Sequence, residues 1–109
     1  MAKAVADLYR ERYSPPVNDD AARAFAAVMT LAQGIDSGGS ATGAVIRSAL
    51  INTDIPGRGT IMPWDGVKFD DDHQNIGARV VAEQVQDSHY RLVYSPGRGA
   101  VRDHVGNAE

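Results

Sequence analysis

The chain has 109 residues, enough for one domain with a modest core, and its formal net charge of −3 disfavours nucleic-acid binding, which needs a basic patch. It contains no cysteine, which excludes disulfides, thiolate catalysis and thiolate metal sites. No apolar run approaches the roughly 20 residues of a transmembrane helix, and Met1–Ala4 has neither the apolar stretch nor the cleavage site of a signal peptide.

Two helices are predicted at the start of the chain. Apolar residues at spacings of three and four predict the first over Ala2–Tyr13, and Pro15-Pro16 ends it. Asn18 is a favoured N-cap residue, and the second helix is predicted from there to about Asp36. Its apolar side chains form two adjacent stripes, namely Ala22, Phe25, Ala26, Met29 and Ala32, then Val28, Leu31 and Ile35. An apolar arc this wide indicates contacts on more than one side of the helix.

A third helix is predicted after the glycine pair Gly38-Gly39, which has the conformational freedom to end the second helix. Ser40 is its predicted N-cap, and the helix is expected over about Ala41–Asn52. Its buried face is predicted to consist of Val45, Ile46, Ala49 and Leu50.

Short strands are predicted in the rest of the chain. Ile55-Pro56-Gly57 indicates a turn, and Thr60–Met62 and Val67–Phe69 have the composition of strands. Arg79–Val85 and Tyr90–Tyr94 are predicted to pair as a hairpin. The expected fold class is therefore α/β, with three helices followed by short strands and a hairpin. Because two paired strands are only marginally stable alone, this order indicates packing on a larger sheet or on a partner chain.

The chain is expected to divide into one domain and a tail. Residues 1–95 are predicted to form the domain. The composition then changes to Ser95-Pro96-Gly97-Arg98-Gly99, and residues 96–109 are expected to be disordered.

The densest group of potential metal ligands is the run Asp70-Asp71-Asp72-His73. A calcium loop beginning at Asp70 would have glycine at its sixth position and glutamate at its twelfth, but Asn75 and Val81 stand there. The run is therefore interpreted as a solvated turn, and neither a metal nor another cofactor is expected. No serine lies in a nucleophile-elbow sequence and the histidines lie in predicted turns or the tail, so the chain is predicted not to be an enzyme.

Four residues are candidates for contact with a ligand. Asp19, Asp20 and Arg23 open the second helix, where charged side chains and free backbone N–H groups would be able to engage an anion or a zwitterion. The alternative interpretation is a capped and solvated first turn. Trp64, the only tryptophan, stands between two predicted strands after a proline. It is interpreted either as a packing anchor or as a surface on which a ligand stacks.

An ordered set of motifs extends over about Ala4–Tyr94. The motifs are Tyr9…Tyr13, Ala21-Ala22-Arg23-Ala24-Phe25-Ala26-Ala27-Val28, Ile46-Arg47-Ser48-Ala49-Leu50, Thr53-Asp54-Ile55-Pro56, Ile61-Met62-Pro63-Trp64, Gly66-Val67-Lys68-Phe69-Asp70, Gln74-Asn75 and Val85-Gln86-Asp87-Ser88-His89-Tyr90. This set resembles the C-terminal part of the periplasmic solute-binding proteins of ABC importers, of the branched-chain (Leu/Ile/Val) amino acid type. Members of that family have two α/β lobes joined by a hinge, and the lobes close around a small-molecule ligand.

The resemblance implies that this chain is the last part of a longer periplasmic protein, the ligand-binding component of an importer for amino acids or related small polar solutes. Its partners would be an amino-acid-like ligand and an ABC permease. In the family an aromatic side chain near the start of the second helix often contacts the ligand. Asp19 and Asp20 occupy that region here, which favours a ligand with a polar or cationic end. The main ligand-anchoring residues of the family lie outside this chain.

Two other functions stay open. The same fold serves ligand-sensing receptor domains, in which a signalling partner reads the closure. Alternatively, the chain is a small α+β interaction module that self-associates through its wide apolar helices and unpaired strands. As an isolated chain it is expected to form a homo-oligomer.

Overall fold

The computed structural model describes residues 1–95, together with the backbone of Gly99 and Ala100. The chain forms two compact units, Met1–Ala78 and a second that begins at Arg79. It is mixed α and β, as predicted, with three α-helices and two small antiparallel sheets in the described part. None of the described helices is both long and apolar enough to cross a membrane.

Three α-helices open the first unit: α1 (Ala2–Tyr13), α2 (Asp19–Gly38) and α3 (Gly43–Ile51). Asn18 caps α2 as predicted, because its side-chain oxygen accepts a hydrogen bond from the backbone N–H of Ala21. Gly39 adopts the left-handed conformation that ends α2, and its N–H donates to the carbonyls of Ile35 and Asp36.

The start of α3 differs from the prediction. Thr42 rather than Ser40 is the N-cap residue, and its side chain makes no capping hydrogen bond to the helix. The Ser40 hydroxyl oxygen instead accepts a hydrogen bond from the backbone N–H of Thr42, in the turn before the helix. The prediction failed because serine forms the same kind of local bond in turns as at helix starts.

Helices α2 and α3 pack closely through two glycines of α2. A methyl group at Gly34 would meet the side chain of Leu50, and one at Gly38 would meet Val45, so the missing side chains allow this approach. The predicted buried face of α3 is only partly covered, with Ile46, Ala49 and Leu50 half-buried and Val45 exposed.

A two-stranded antiparallel sheet follows α3. Strand β1 (Asp54–Pro56) pairs with β2 (Gly66–Lys68), and Ile55 lies opposite Val67. The predicted turn at residues 55–57 and the predicted strand at residues 60–62 are therefore both wrong. The strand that pairs with β2 lies before the 3₁₀ turn Gly57–Gly59, whereas the predicted strand lay after it. Pro56 is tolerated as the last residue of β1 because a two-stranded sheet consists only of edge strands.

The buried core of the first unit is small. The buried hydrophobic residues of the described part are Ala26, Ile55, Met62 and Val67. Large apolar side chains of α2 are exposed instead, among them Val28 and Leu31. The first unit therefore leaves much of the apolar arc of α2 uncovered.

The second unit contains the predicted hairpin. Strand β3 (Ala82–Gln86) pairs with β4 (His89–Ser95), and β5 (Gly99–Ala100) pairs with the end of β4. Asp87 and Ser88 form the turn, and both have the positive φ angles that suit a two-residue hairpin turn. Within β3 and β4, no residue is buried. Apart from β5, the tail expected to be disordered (96–109) lies outside the described residues.

Candidate functional site

The four candidate ligand-contacting residues all lie in the first unit. Asp19, Asp20 and Arg23 occupy the start of α2, and Trp64 lies in the loop before β2. The guanidinium of Arg23 forms an ion pair with Asp19 one helical turn away, at 2.5 Å, and both side chains are exposed. Asp20 is also exposed. The start of α2 is therefore a capped and solvated first turn, which is the alternative interpretation given above.

Arg23 and Trp64 line the same groove, which has a volume of about 310 Å³. We call it the Trp64 groove; its other lining residues are Ala26, Ala27, Thr30, Leu31, Leu50, Val67, Phe69 and Asn75. Its walls come from α2, α3 and the segment around β2, and most of them are apolar. Asp19 and Asp20 are not among the lining residues. The structure thus brings Arg23 and Trp64 together in one groove and leaves Asp19 and Asp20 outside it, with Asp19 paired to Arg23.

The chemistry of the Trp64 groove is that of an apolar cleft with one cation at its mouth. Among its described lining residues, Arg23 is the only charged one. An exposed ion pair such as Arg23–Asp19 contributes about 0–1 kcal/mol, so exchanging Asp19 for an anionic group of a ligand would cost little. Trp64 is half-buried, which leaves part of its ring accessible for stacking. The arrangement suits an apolar group that carries an anionic end, in contrast to the cationic end expected from Asp19 and Asp20, because neither aspartate lines the groove.

A second cavity lies on the other side of the contact between α2 and β2. It has a volume of about 360 Å³ and is lined mainly by Met1, Phe25, Met29, Ile55 and Ile61. Ala26, Thr30 and Val67 line both this cavity and the Trp64 groove. The small buried contact between α2 and β2 is therefore flanked by open apolar space on both sides.

A hydrogen-bond network around Asn75 was not predicted from the sequence. Its side-chain oxygen accepts bonds from the backbone N–H groups of Lys68 and Gly77, and its side-chain amide donates to the carbonyl of Gly66. Asn75 also pairs with Phe69 in an isolated antiparallel bridge. These bonds fasten the loop after β2 back onto β2. The available signal was the Gln74-Asn75 motif, because asparagine readily bonds to nearby backbone.

The acidic run at Asp70 forms an exposed turn, as predicted. One carboxylate oxygen of Asp70 accepts hydrogen bonds from the backbone N–H groups of Asp72 and Gln74. His73 adopts a positive φ angle within the turn. In the part of the chain that the structure describes, no three histidine or acidic side chains are grouped so that they could hold a metal ion.

Neither a scan against models of known protein families nor a search of curated proteins finds a match to this chain. Function is therefore inferred from the residues and their geometry.

Proposed function

We propose that this chain is the C-terminal part of a solute-binding protein of an ABC importer for amino acids or related small polar solutes. It would contribute helices and edge strands to two lobes that close around the ligand. Because the ligand binds the closed state more tightly, its binding shifts the protein towards that state. The intact protein would act in the periplasm and pass its ligand to a membrane permease, without catalysis or a cofactor. The assignment of residues 1–95 to one domain stays a prediction.

The observation that carries the proposal is that three separate motifs of the family resemblance meet in one local structure. Residues 53–56 contain β1, residues 66–70 contain β2, and Gln74-Asn75 supplies the side chain that fastens the following loop. Backbone pairing joins β1 to β2, with Asp54 opposite Lys68. Motifs that define a family are expected to form a shared structural unit. These three motifs are separate in sequence but adjacent in the structure, which supports the resemblance.

The open apolar space beside this unit also supports the proposal. Protein interiors are close-packed, with few voids larger than a water molecule. The Trp64 groove and the cavity across the α2–β2 contact are instead open clefts of about 310 and 360 Å³ with mainly apolar walls, and large uncovered apolar patches mark sites of interaction. In a solute-binding protein, the ligand or further elements of the lobe would occupy such space. Arg23 and Trp64 are the two candidate residues that line it.

The native product that contains this sequence provides the test. An antibody raised against residues 1–95 would capture it from fractionated cells of the source organism, and mass spectrometry would give its length. We expect a periplasmic protein several times heavier than 11.6 kDa. Calorimetric titration of that protein with the standard amino acids should then detect a ligand. A native product of 11.6 kDa, or a longer one that binds none of these solutes, would contradict the proposal.

A second candidate function is a self-associating interaction module. It is supported by the exposure of large apolar side chains on α2, where Val28 is 64% exposed and Leu31 is 44% exposed. A soluble monomer rarely leaves large apolar patches uncovered without a partner.

A further inference from the structure

Helix α2 has a continuous apolar surface on the side opposite its contact with β2. At about 3.6 residues per turn, Val28 points roughly half a turn away from Ala26 and Thr30, which line the two cavities beside β2. We call this surface the outer face of α2; it consists of Ala21, Ala24, Val28, Leu31, Ala32 and Ile35. None of these residues is buried. Leu31, which is 44% exposed and also lines the Trp64 groove, and Ala32, which also lines the second cavity, form the two edges of the face.

We propose that the outer face of α2 binds the same face of a second copy of this chain, with the two helices antiparallel about a two-fold axis. This proposal rests on the self-associating function suggested above and specifies its surface.

The spacing of the large residues supports this arrangement. Ala24, Val28, Leu31 and Ile35 follow one another at intervals of four, three and four, which is the spacing of the contact positions in a coiled coil. An antiparallel pair centred between Met29 and Thr30 places Val28 opposite Leu31 of the second copy. By symmetry, Leu31 then lies opposite Val28 of that copy, as an isologous contact requires.

The same register matches small residues to large ones at the ends of the contact. Ala24 lies opposite Ile35 of the second copy, and Ile35 opposite its Ala24, so the two helices can stay in contact along the whole face. A parallel pair would instead place Ala24 against Ala24 and leave a gap, since the alanine side chains are short. The face is complementary to itself only in the antiparallel direction.

Charge also permits the contact. All six side chains of the outer face are apolar, so pairing buries no ion and avoids the desolvation penalty of buried charges. The ion pair of Asp19 and Arg23 lies outside the face and stays exposed to water. Asp20 lies one turn before Ala24, at the end of the face, and is also exposed. Charge therefore does not oppose a close approach over residues 24–35.

The size of the face sets the expected affinity. The outer face runs from Ala21 to Ile35 and is about 21 Å long. A single helical face of this length offers less area than the roughly 800 Å² that each partner buries in a standard interface. We therefore expect a weak dimer whose population depends on concentration.

Sedimentation equilibrium of the full chain over a range from about 1 µM to about 1 mM tests this expectation. The mass should rise from 11.6 kDa towards twice that value. Val28→Lys should raise the Kd at least about tenfold, because it places two charges in the apolar contact. Since Val28 is 64% exposed in the single chain, the variant should keep its fold, which circular dichroism checks. Met29→Lys is the matched control, because Met29 is also exposed but lies outside the face, and its Kd should change less than about twofold.

Cysteine pairing tests the register. The chain has no cysteine, so Val28→Cys and Leu31→Cys each introduce a single thiol. When the two variants are mixed and oxidised, the antiparallel register brings position 28 of one copy opposite position 31 of the other. Disulfides form only over short Cα–Cα separations, so the mixed disulfide should exceed the two symmetric ones.

Three results would overturn the proposal: a monomer at every concentration, a dimer whose Kd does not respond to Val28→Lys, or an excess of symmetric disulfides. The monomer would also remove the self-associating function. The other two results would remove only the outer face of α2 as its surface. None of them bears on the solute-binding function, which the native product tests separately.

Discussion

The antiparallel pair β1–β2 and the hairpin β3–β4 differ in length and in burial, and the shorter of the two is the more buried. The β1–β2 pair has strands of three residues, whereas β3 and β4 have five and seven. Yet Ile55 and Val67 of the short pair are buried, and no residue of the long pair is. Because backbone hydrogen bonds replace bonds to water, each contributes only about 0.5–1.5 kcal/mol net. Burial and side-chain bonds to the backbone, rather than strand length, should therefore make the short hairpin the more stable one.

Gly77→Ala should lower the free energy of unfolding most, because it disrupts the packing of the loop after β2 against the β1–β2 pair. A Cβ atom at Gly77 would overlap the backbone of Gly66, which cannot rotate away as a side chain can. We expect a loss of about 4 kcal/mol in the free energy of unfolding. Urea denaturation followed by the fluorescence of Trp64, the only tryptophan, reports on this unit.

Gly43→Ala is the control for that substitution. A Cβ atom there would meet no atom within 4 Å, and Gly43 is the first residue of α3. Alanine favours helices, so stability should stay equal or rise by less than about 1 kcal/mol. Equal losses at both glycines would show that the close approach at Gly77 does not matter.

Val67→Ala and Val85→Ala compare the two hairpins with the same substitution. Val67 is 4% exposed and Val85 is 63% exposed. Removing the buried methyl groups should lower the free energy of unfolding by about 2.5 kcal/mol, whereas the change at Val85 should stay below about 0.5 kcal/mol. Thermal denaturation followed by circular dichroism measures both. A larger effect at Val85 would mean that the second hairpin is covered by a partner in solution.

Asn75→Ala removes the side chain that fastens the loop to β2. The backbone N–H groups of Lys68 and Gly77 would lose their acceptor, so we expect a loss of about 2 kcal/mol. Asn75→Asp keeps that oxygen and should recover part of the loss. Gln74→Ala changes the neighbouring exposed side chain and should be nearly neutral. Urea denaturation by Trp64 fluorescence distinguishes the three, and a neutral Asn75→Ala would argue against the network.

The smallest effect is expected at the ion pair across the short hairpin. The ammonium group of Lys68 lies 3.0 Å from a carboxylate oxygen of Asp54, and both side chains are exposed. A double-mutant cycle with Lys68→Ala and Asp54→Ala should give a coupling below about 0.5 kcal/mol. Because the Debye length falls to about 3 Å at 1 M salt, the coupling should vanish there. A coupling that persists at high salt would indicate that the pair is shielded from water.

The parts of the fold that could be predicted are those with local signals. Periodic apolar residues identified the helices, Asn18 identified the start of α2, and the Asp87-Ser88 region identified a hairpin turn. Strand β1 could not be recognised because Ile55-Pro56-Gly57 has the composition of a turn. Its three residues are a strand only through their partner, β2.

Two lining residues of the candidate site, Arg23 and Trp64, were named from the sequence, but their arrangement and the other walls of the groove were not. The charged start of α2 is visible in the sequence, and Arg23 follows Asp19 at the spacing of a helical ion pair. That Arg23 and Trp64 line one groove depends on how α2 packs against β2, which leaves no local pattern. The Asn75 network was missed for a related reason, since its partners become neighbours only once the loop closes.

The order in which elements pair has a kinetic consequence. Helix α2 packs with α3, β1 with β2, β3 with β4, and β4 with β5, so each of these pairings joins neighbours along the chain, and the smaller contact of α2 with β2 is the exception. Loop closure between neighbours has a low entropic cost, and chains with low contact order fold fast. Helices and hairpins of this kind form in about a microsecond to about ten microseconds. If a longer protein carries this segment at its end, assembly would be limited by docking of the segment, which takes milliseconds to minutes, rather than by formation of its own elements.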